Sequence, residues 1–340
     1  MEDEKKTGRT RRRIIQEMKK HGGEINQSEF NRILEMVAPA SKEGISKAIE
    51  FARFKGEPIP TSSLTSTEAL TDEQKISIAD PSTGQIPLLY SGWTATPNTF
   101  VRSAVFAAVP DKKRPEYHQE WRELVCWENE CSISLKGEEL SQSDHTLFLV
   151  LVRMYADQGL SLEDELIVPT YAILKALQVK SVQKYYYEKI KRQIERMVST
   201  TLQVKAYWMV YTGSLLYSAK LDDRQKGKWV IRINPELANL FQSNHFTYVQ
   251  LEDHLKIKTA LGSWLSLFIQ SHDFPKVKMR VERLFLLSGS KFKHLSTFKR
   301  QLKAAFKELE EHQILSYWKI EGSVVEFSRA PKKAKRRLSK

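Results

Sequence analysis

Basic side chains at helical spacing between residues 291 and 313 form the clearest chemical pattern in the sequence. At about 100° per residue, one arc of a helix carries four cations: Lys299, Arg300, Lys303 and Lys307. A different arc carries the apolar side chains Phe298, Leu302, Ala305, Phe306 and Leu309. Three further basic side chains come just before the helix: Lys291, Lys293 and His294. The pattern predicts a helix from Ser296, whose hydroxyl can cap the first turn, to Gln313.

A helix with an apolar face, a basic face and a positive N-terminus suits a groove of nucleic acid. The plainer interpretation is an amphipathic helix whose lysines are merely solvated. A second helix, predicted from a cap at Ser181 to Val198, carries fewer free cations because Glu188 and Glu195 lie among them. Its candidate DNA contacts are Lys180, Ser181, Lys184, Lys191 and Arg192. It could equally serve dimerisation or phosphate contact.

No catalytic pattern is found in the sequence. There is no G-x-x-x-x-G-K-[ST] phosphate loop, and the eight histidines include no H-x-H pair and no H-E-x-x-H. The run Tyr185–Tyr187 could supply a DNA-cutting nucleophile, but tyrosines at this spacing are more often packing residues, with at least one ring inward. We therefore predict no enzymatic activity, no catalytic residue, no metal and no cofactor.

Charge and composition point to a polyanionic partner. The chain of 340 residues carries a formal charge of +13, and its apolar fraction of 41% is enough for packed cores. No apolar run approaches the roughly 20 residues of a membrane span, and no apolar stretch follows the N-terminal arginines. The two cysteines are too few for a disulfide framework or a metal site. These features predict a cytoplasmic protein without a membrane partner.

The elements around the two basic helices repeat in order. The first series is a helix from Ser141 to Asp157, a short helix Thr170–Leu177, the Ser181–Val198 helix, and strands Leu215–Lys220 and Trp229–Ile233. The strand pattern Thr201–Tyr211 precedes that hairpin. The second series is a helix Glu252–Ser271, a short helix Val281–Leu287, a Ser288-Gly289-Ser290 turn, the Ser296–Gln313 helix, and strands Leu315–Ile320 and Ser323–Phe327.

A helix–turn–helix followed by a β-wing, present twice, predicts an α+β fold of tandem winged-helix domains. The predicted organisation is a flexible basic arm and linker over 1–95, a first winged-helix domain over 96–235, a second one over 236–329 that is the main DNA reader, and a basic tail over 330–340. The segment Trp264–Phe268 is assigned to the core. The segment Arg102–Phe106 is either a short linear motif for an apolar pocket or the first strand or helical turn of the domain.

Five sequence blocks between Pro97 and Arg329 resemble plasmid replication initiators of the TrfA family. The blocks are PNTFVRSAVF at 97–106, ISLKGEEL at 133–140, YYYEKIKRQIERM at 185–197, INPELANLF at 233–241 and KHLSTFKRQLKAAFKELEEHQIL at 293–315. The resemblance implies two winged-helix modules that bind repeated sites (iterons) at a plasmid origin. It also implies opening of adjacent AT-rich DNA, with possible contact to single strands, and recruitment of the host initiator, helicase and polymerase sliding clamp.

By position, the resemblance assigns the iteron contact to Ser296, Thr297, Lys299, Arg300 and Lys303. It assigns the clamp contact to Val105 and Phe106, where the family has a Leu-Phe pair, and it implies a monomer–dimer equilibrium at the first module. We therefore predict a non-enzymatic initiator of plasmid replication. The alternative is a winged-helix transcriptional repressor, which needs the same groove-reading helix; a DNA-nicking enzyme is a third possibility.

Overall fold

The structure is a computed structural model that describes residue 89 and the ranges 91–110, 115–127, 131–181, 183–206, 209–222, 227–241, 245–272 and 276–330. Most of the predicted basic arm, and all of the predicted tail except residue 330, lie outside these residues. Among the described residues, no helix has the length and apolar character needed to cross a bilayer.

Helices and strands are interspersed along the described chain. The helices are α1 Asn98–Val101, α2 Gln142–Asp157, α3 Thr170–Ala176, α4 Lys184–Ser199, α5 Leu251–Lys256, α6 Ala260–Gln270, α7 Val281–Leu287 and α8 Leu295–Glu311, with a 3₁₀ helix at Pro235–Phe241. The first strands are β1 Trp93–Pro97, β2 Phe106–Ala107, β3 Tyr117–Leu124, β4 Ser132–Glu138, β5 Leu140–Ser141, β6 Leu166–Pro169 and β7 Thr201–Ala206. The remaining strands are β8 Met209–Ser214, β9 Leu216–Asp222, β10 Lys228–Ile233, β11 Phe246–Gln250, β12 Lys276–Arg280, β13 Leu315–Glu321 and β14 Val324–Arg329.

Two groups of elements share one topology. In the first repeat (β6, α3, α4, β9 and β10), the three strands form a sheet in the order β6-β10-β9. In the second repeat (β12, α7, α8, β13 and β14), the sheet order is β12-β14-β13. In both, the strand before the short helix pairs with the last strand. The two long helices, α4 and α8, therefore occupy equivalent places.

The first repeat carries an insertion between its long helix and its last two strands. Strands β7 and β8 form a hairpin that extends a four-stranded sheet in the order β3-β4-β7-β8. The prediction of a single strand over Thr201–Tyr211 is therefore wrong, because the chain turns after Ala206. Leu202, Val204 and Ala206 are buried as expected, whereas Val210 lies beyond the turn and is 64% exposed.

Helix α2 starts at the predicted place. The backbone N–H of Ser141 donates to the Asp144 carboxylate at 2.8 Å, in a reciprocal capping box. By contrast, the helix predicted over Glu252–Ser271 is two helices, α5 and α6, because the chain leaves the helical conformation at Ile257. Thr259 then starts α6, and its hydroxyl accepts from the Gly262 N–H at 3.0 Å.

Among the described residues, buried apolar side chains form two large clusters and a small one that contacts elements of both. The first large cluster packs α2, α4, β4 and β7 around side chains such as Phe148 and Ile194. The second packs α6, α7 and α8 around Trp264, Phe298 and Phe306. The small cluster joins α2 to α5 and α6. The assignment of Trp264–Phe268 to the core is confirmed, because every side chain in it is buried.

Candidate nucleic-acid interface

Helix α8 presents one basic face to solvent. Phe298, Leu302, Ala305, Phe306 and Leu309 are all buried, as their spacing predicted. Phe306 stacks on Trp318 of β13 with ring centroids 5.5 Å apart, which fixes the rotation of the helix against the hairpin. Arg300, Lys303 and Lys307 are exposed on the other side. Within the described ranges these three cations make no ion pair or side-chain hydrogen bond, so their charge is available to a polyanion.

Lys299 has a different role from its neighbours. Its ammonium donates to the carbonyl of Gly322, in the turn between β13 and β14, at 2.8 Å. Gly322 has a φ of +55°, which glycine adopts without steric strain. The bond ties the tip of the hairpin to α8, so the helix and the turn form one continuous surface.

The start of α8 differs from the prediction. The helix begins at Leu295, and His294 is the residue before it, whose carbonyl accepts from the N–H groups of Thr297 and Phe298. The prediction that Ser296 caps the helix is wrong, because Ser296 already lies in the first turn. Ser296 is exposed and Thr297 is partly exposed. Since no side-chain bond from His294 caps this end, its positive dipole faces outward beside the exposed Lys293 and His294.

Lys291 lies apart from this surface. Its side chain is only 17% exposed, and its ammonium is 2.6 Å from Glu116 and 2.5 Å from Glu139. Both carboxylates belong to the first half of the chain. Lys291, a predicted DNA contact, is therefore engaged in ion pairs within the protein.

Helix α4 presents a more mixed surface. Lys184, Lys191 and Arg192 are exposed, and so is Glu195 among them. Arg196 is held inward, where its guanidinium donates to Asp144 at 2.8 and 2.9 Å and to Glu138 at 2.9 Å. The prediction that Ser181 caps this helix is wrong, because α4 starts at Lys184, preceded by Gln183, which makes no side-chain capping bond. Lys180 is exposed and Ser181 partly exposed ahead of it.

The tyrosine run of α4 is split between the core and the solvent. Tyr186 and Tyr187 pack against the first apolar cluster, as predicted, and Tyr185 is 63% exposed. Tyr185 lines a cleft of about 670 Å³ next to Lys189 and Arg192 of α4. Lys291 lines the same cleft, so the approach to α8 lies next to the basic side of α4.

In the part of the chain that the structure describes, one group of side chains has a spacing that suits a metal ion. The ligand atoms of Glu116, His118 and Glu139 lie within 4.8 Å of one another. The Lys291 ammonium already contacts both carboxylates, and Arg122 also pairs with Glu139. The positive charge that a metal would supply is therefore provided by lysine and arginine.

Val105 and Phe106 do not form a surface site. They are 1% and 0% exposed, and the Phe106 ring stacks on His145 at 4.1 Å, with 4° between the ring planes. Phe106 also belongs to β2, which pairs with β5. The prediction that these residues contact a sliding clamp is wrong for this structure, because both side chains lie in the core. The second interpretation of Arg102–Phe106, the first strand or helical turn of the domain, matches only at the ends of the segment: Arg102 closes α1, and Phe106 begins β2, which is the second strand.

Comparison with known proteins defines the class as that of plasmid replication initiators. The family model described as TrfA protein matches residues 61–329. The chain therefore belongs to the TrfA family, which confirms the resemblance seen in the five sequence blocks. No curated protein sequence matches the chain.

Two of the similar solved structures share little sequence identity with this chain. Domains 2 and 3 of RctB are 12% identical, with a TM-score of 0.49, over 70% of this chain and 99% of that chain. The Pi initiator protein, solved in complex with iteron DNA, is 14% identical, with a TM-score of 0.43, over 56% of this chain and 95% of that chain.

Proposed function

We propose that the protein starts plasmid replication by binding iterons at the origin, opening the adjacent AT-rich DNA and recruiting host replication proteins in the cytoplasm. The observation that carries the proposal is the exposed set Arg300, Lys303 and Lys307 on α8, in a chain that belongs to the TrfA family. These cations have no acidic partner within the described ranges, and they lie on the outer face of a helix that is packed from behind.

We interpret each repeat as a winged helix, with domains over 96–235 and 236–329. In this interpretation α8 enters the major groove, and the β13–β14 turn, tied to it through Lys299, lies beside the groove. Arg300 is close enough to the helix N-terminus to meet a base edge, while Lys303 and Lys307 neutralise phosphates. Lys184, Lys191 and Arg192 of α4 supply a second, weaker contact. The proposal gives Val105 and Phe106 no recruiting role, because both are buried.

The test supplies the gene in trans to a plasmid that carries only candidate direct repeats beside an AT-rich stretch. Maintenance of that plasmid is the expected result. Silencing of a promoter without maintenance would instead favour the alternative, a transcriptional repressor. The double variant Arg300→Ala with Lys303→Ala should abolish maintenance. The matched control is Lys205→Ala, which removes an exposed cation from β7 rather than from either long helix.

We also propose that the protein acts without a catalytic step of its own. Tyr185 is exposed and therefore accessible to DNA. A nicking enzyme that used this tyrosine as its nucleophile would leave a covalent tyrosine–DNA adduct. Incubation with supercoiled origin DNA, followed by denaturing electrophoresis, should show no protein-linked strand. A linked strand that disappears in Tyr185→Phe would contradict the proposal.

A further inference from the structure

The turn between α7 and α8 is held by residues from the first half of the chain. The N–H of Ala108 donates to the carbonyl of Ser288 at 2.7 Å. Gly289 has a φ of +58°, and a β-carbon there would lie 3.0 Å from the β-carbon of Ala107. The turn that leads into α8 therefore lies directly against the strand β2 and the residues after it.

The ion pairs of Lys291 continue this contact. Glu116 and Glu139, its two partners, flank the β3–β4 hairpin of the four-stranded sheet. Glu139 is 13% exposed and also binds His118 at 3.1 Å. Burial raises the pKa of Glu139, but its bonds to Lys291 and His118 outweigh burial and hold that pKa below its ordinary value. The hydrogen bond from Lys291 likewise lowers the pKa of Glu116. The lysine is thus fixed from two sides, four residues before α8 begins.

Further bonds join the same two halves away from the turn. The Trp264 indole donates to the carbonyl of Ser103 at 3.3 Å, and the guanidinium of Arg283 donates to the carbonyl of Cys126 at 2.5 Å. The Trp127 ring meets Phe268 edge to face at 5.6 Å. These contacts involve α6 and α7, the two helices on which α8 packs, so they also constrain the position of α8.

The contacts between the first half of the chain and the segments α6, α7 and the turn before α8 are called the joint below. We propose that the joint fixes the distance and rotation between α4 and α8, with Lys291 as its positioning residue. The protein then reads the spacing between two DNA contacts as well as their sequence. The inference rests on the proposed function. One inserted base pair separates two contacts by about 3.4 Å and rotates one against the other by roughly 34°. A protein with a fixed joint cannot follow that change, whereas one with a loosened joint can.

The experiment measures binding to duplex DNA that carries one repeat, either native or with one base pair inserted between the two footprinted contacts. For the wild type, the insertion should weaken binding by about tenfold or more, like a mismatch in the site. Lys291→Met should reduce this spacing penalty several-fold, while Lys291→Arg should keep it. Lys205→Met, the surface control, should also keep it.

Salt dependence separates positioning from direct contact. Lys291→Met should leave the slope of log affinity against log salt on the native repeat unchanged, because the ammonium is already paired within the protein. Lys303→Met should flatten that slope by about one unit, as expected for the loss of a phosphate contact. A flattened slope for Lys291→Met would overturn the assignment of Lys291 as a positioning residue.

The outcomes distinguish the two proposals. A wild-type protein that binds no repeat removes the proposed function. A wild-type protein that binds native and inserted repeats equally well removes only the joint. If Lys291→Met does not fold, Glu116→Gln replaces it in the test. The Glu116 side chain is 57% exposed, so the substitution should be tolerated, and it removes one of the two ion pairs of Lys291. A full wild-type spacing penalty in the folded variant would overturn the inference.

Discussion

Arg300 combines exposure, an early position in α8 and, within the described ranges, the absence of an acidic partner. Its planar guanidinium can donate two bonds to one guanine edge, so Arg300→Ala should reduce discrimination between the repeat and random DNA by about 1–3 kcal/mol. Competition binding at fixed salt measures this difference. Lys307→Ala, the comparison variant, should weaken all sequences alike. An unchanged footprint and unchanged discrimination for Arg300→Ala would contradict the assignment.

Phe106 is the residue whose role changed most between sequence and structure. It is fully buried and stacks on His145, so Phe106→Ala should lower the free energy of unfolding by about 3–5 kcal/mol through lost burial and a cavity. Urea denaturation followed by circular dichroism measures the loss. Tyr117→Ala is the control, because that ring is 68% exposed and its removal should cost little. Equal losses for the two variants would show that Phe106 is not packed as described.

Single residues were predictable where a helical period decided their side, and less so elsewhere. The arc of Arg300, Lys303 and Lys307 follows from spacing within one helix. The caps predicted at Ser181 and Ser296 were wrong, because a hydroxyl near a helix start does not reveal which residue begins the first turn. The ion pairs of Lys291 were also hidden, since its partner Glu139 is 152 positions away in the sequence.

Among the elements, α6 and α8 are joined by a carboxylate. Glu308 on α8 accepts from the Lys258 N–H at 2.6 Å and from the Thr259 hydroxyl at 2.7 Å, at the start of α6. Glu308→Ala should therefore lower the free energy of unfolding by about 0.5–2 kcal/mol, the range for a lost helix cap. Thermal unfolding measures this loss, with Glu311→Ala as the control because Glu311 is an exposed glutamate on the same helix. Identical midpoints for the two variants would contradict the capping role.

Element boundaries failed where an apolar pattern continued through a break. The helix predicted over Glu252–Ser271 ran through Ile257 because the apolar residues on both sides keep a helical spacing. The strand predicted over Thr201–Tyr211 ran through a turn because the alternation continues beyond it. Helix α2 was placed well, since Ser141 and Asp144 form a start signal that needs no distant partner. The repeated order of elements was also visible in sequence, because it depends on periods and turns.

At the scale of the whole molecule, two buried histidines join separate elements. His145 on α2 bonds Thr96 at 2.9 Å, and His254 on α5 bonds Thr146 at 3.2 Å. Burial, together with the nearby His254, holds the pKa of His145 well below its ordinary value. Burial alone lowers the pKa of His254 to about 4. Both side chains are therefore neutral in the folded protein at neutral pH.

The sign of the pH effect follows from these shifts. As the pH falls below about 6.5, the unfolded chain takes up protons on these histidines before the folded chain does, so stability decreases down to about pH 4. The slope should be at most about 1.4 kcal/mol per pH unit for each histidine. Urea midpoints at neutral pH and at pH 5 measure it. His254→Gln should flatten the slope, and the exposed His312→Gln should not; equal slopes in both variants would contradict this account.

The joint between the two halves was beyond prediction for the same reason as the ion pairs of Lys291. Charge, repeat order and family resemblance are all readable locally, and they gave the class of protein. The contacts of Trp264 with Ser103 and of Arg283 with Cys126 pair residues from opposite parts of the sequence. Only the folded arrangement brings them together.

The close approach of Gly289 to Ala107 has an evolutionary consequence. A β-carbon added at 289 would lie only 3.0 Å from the β-carbon of Ala107, so a side chain at 289, or a larger one at 107, requires the two segments to move apart, and each position limits the other. Under the proposed function, a new origin specificity is then not easily acquired by exchanging one half of the chain between distant relatives. A chimaera would inherit two surfaces that were never fitted to each other. Under the proposed function, changes within the exposed face of α8 are the open route to a new recognition sequence.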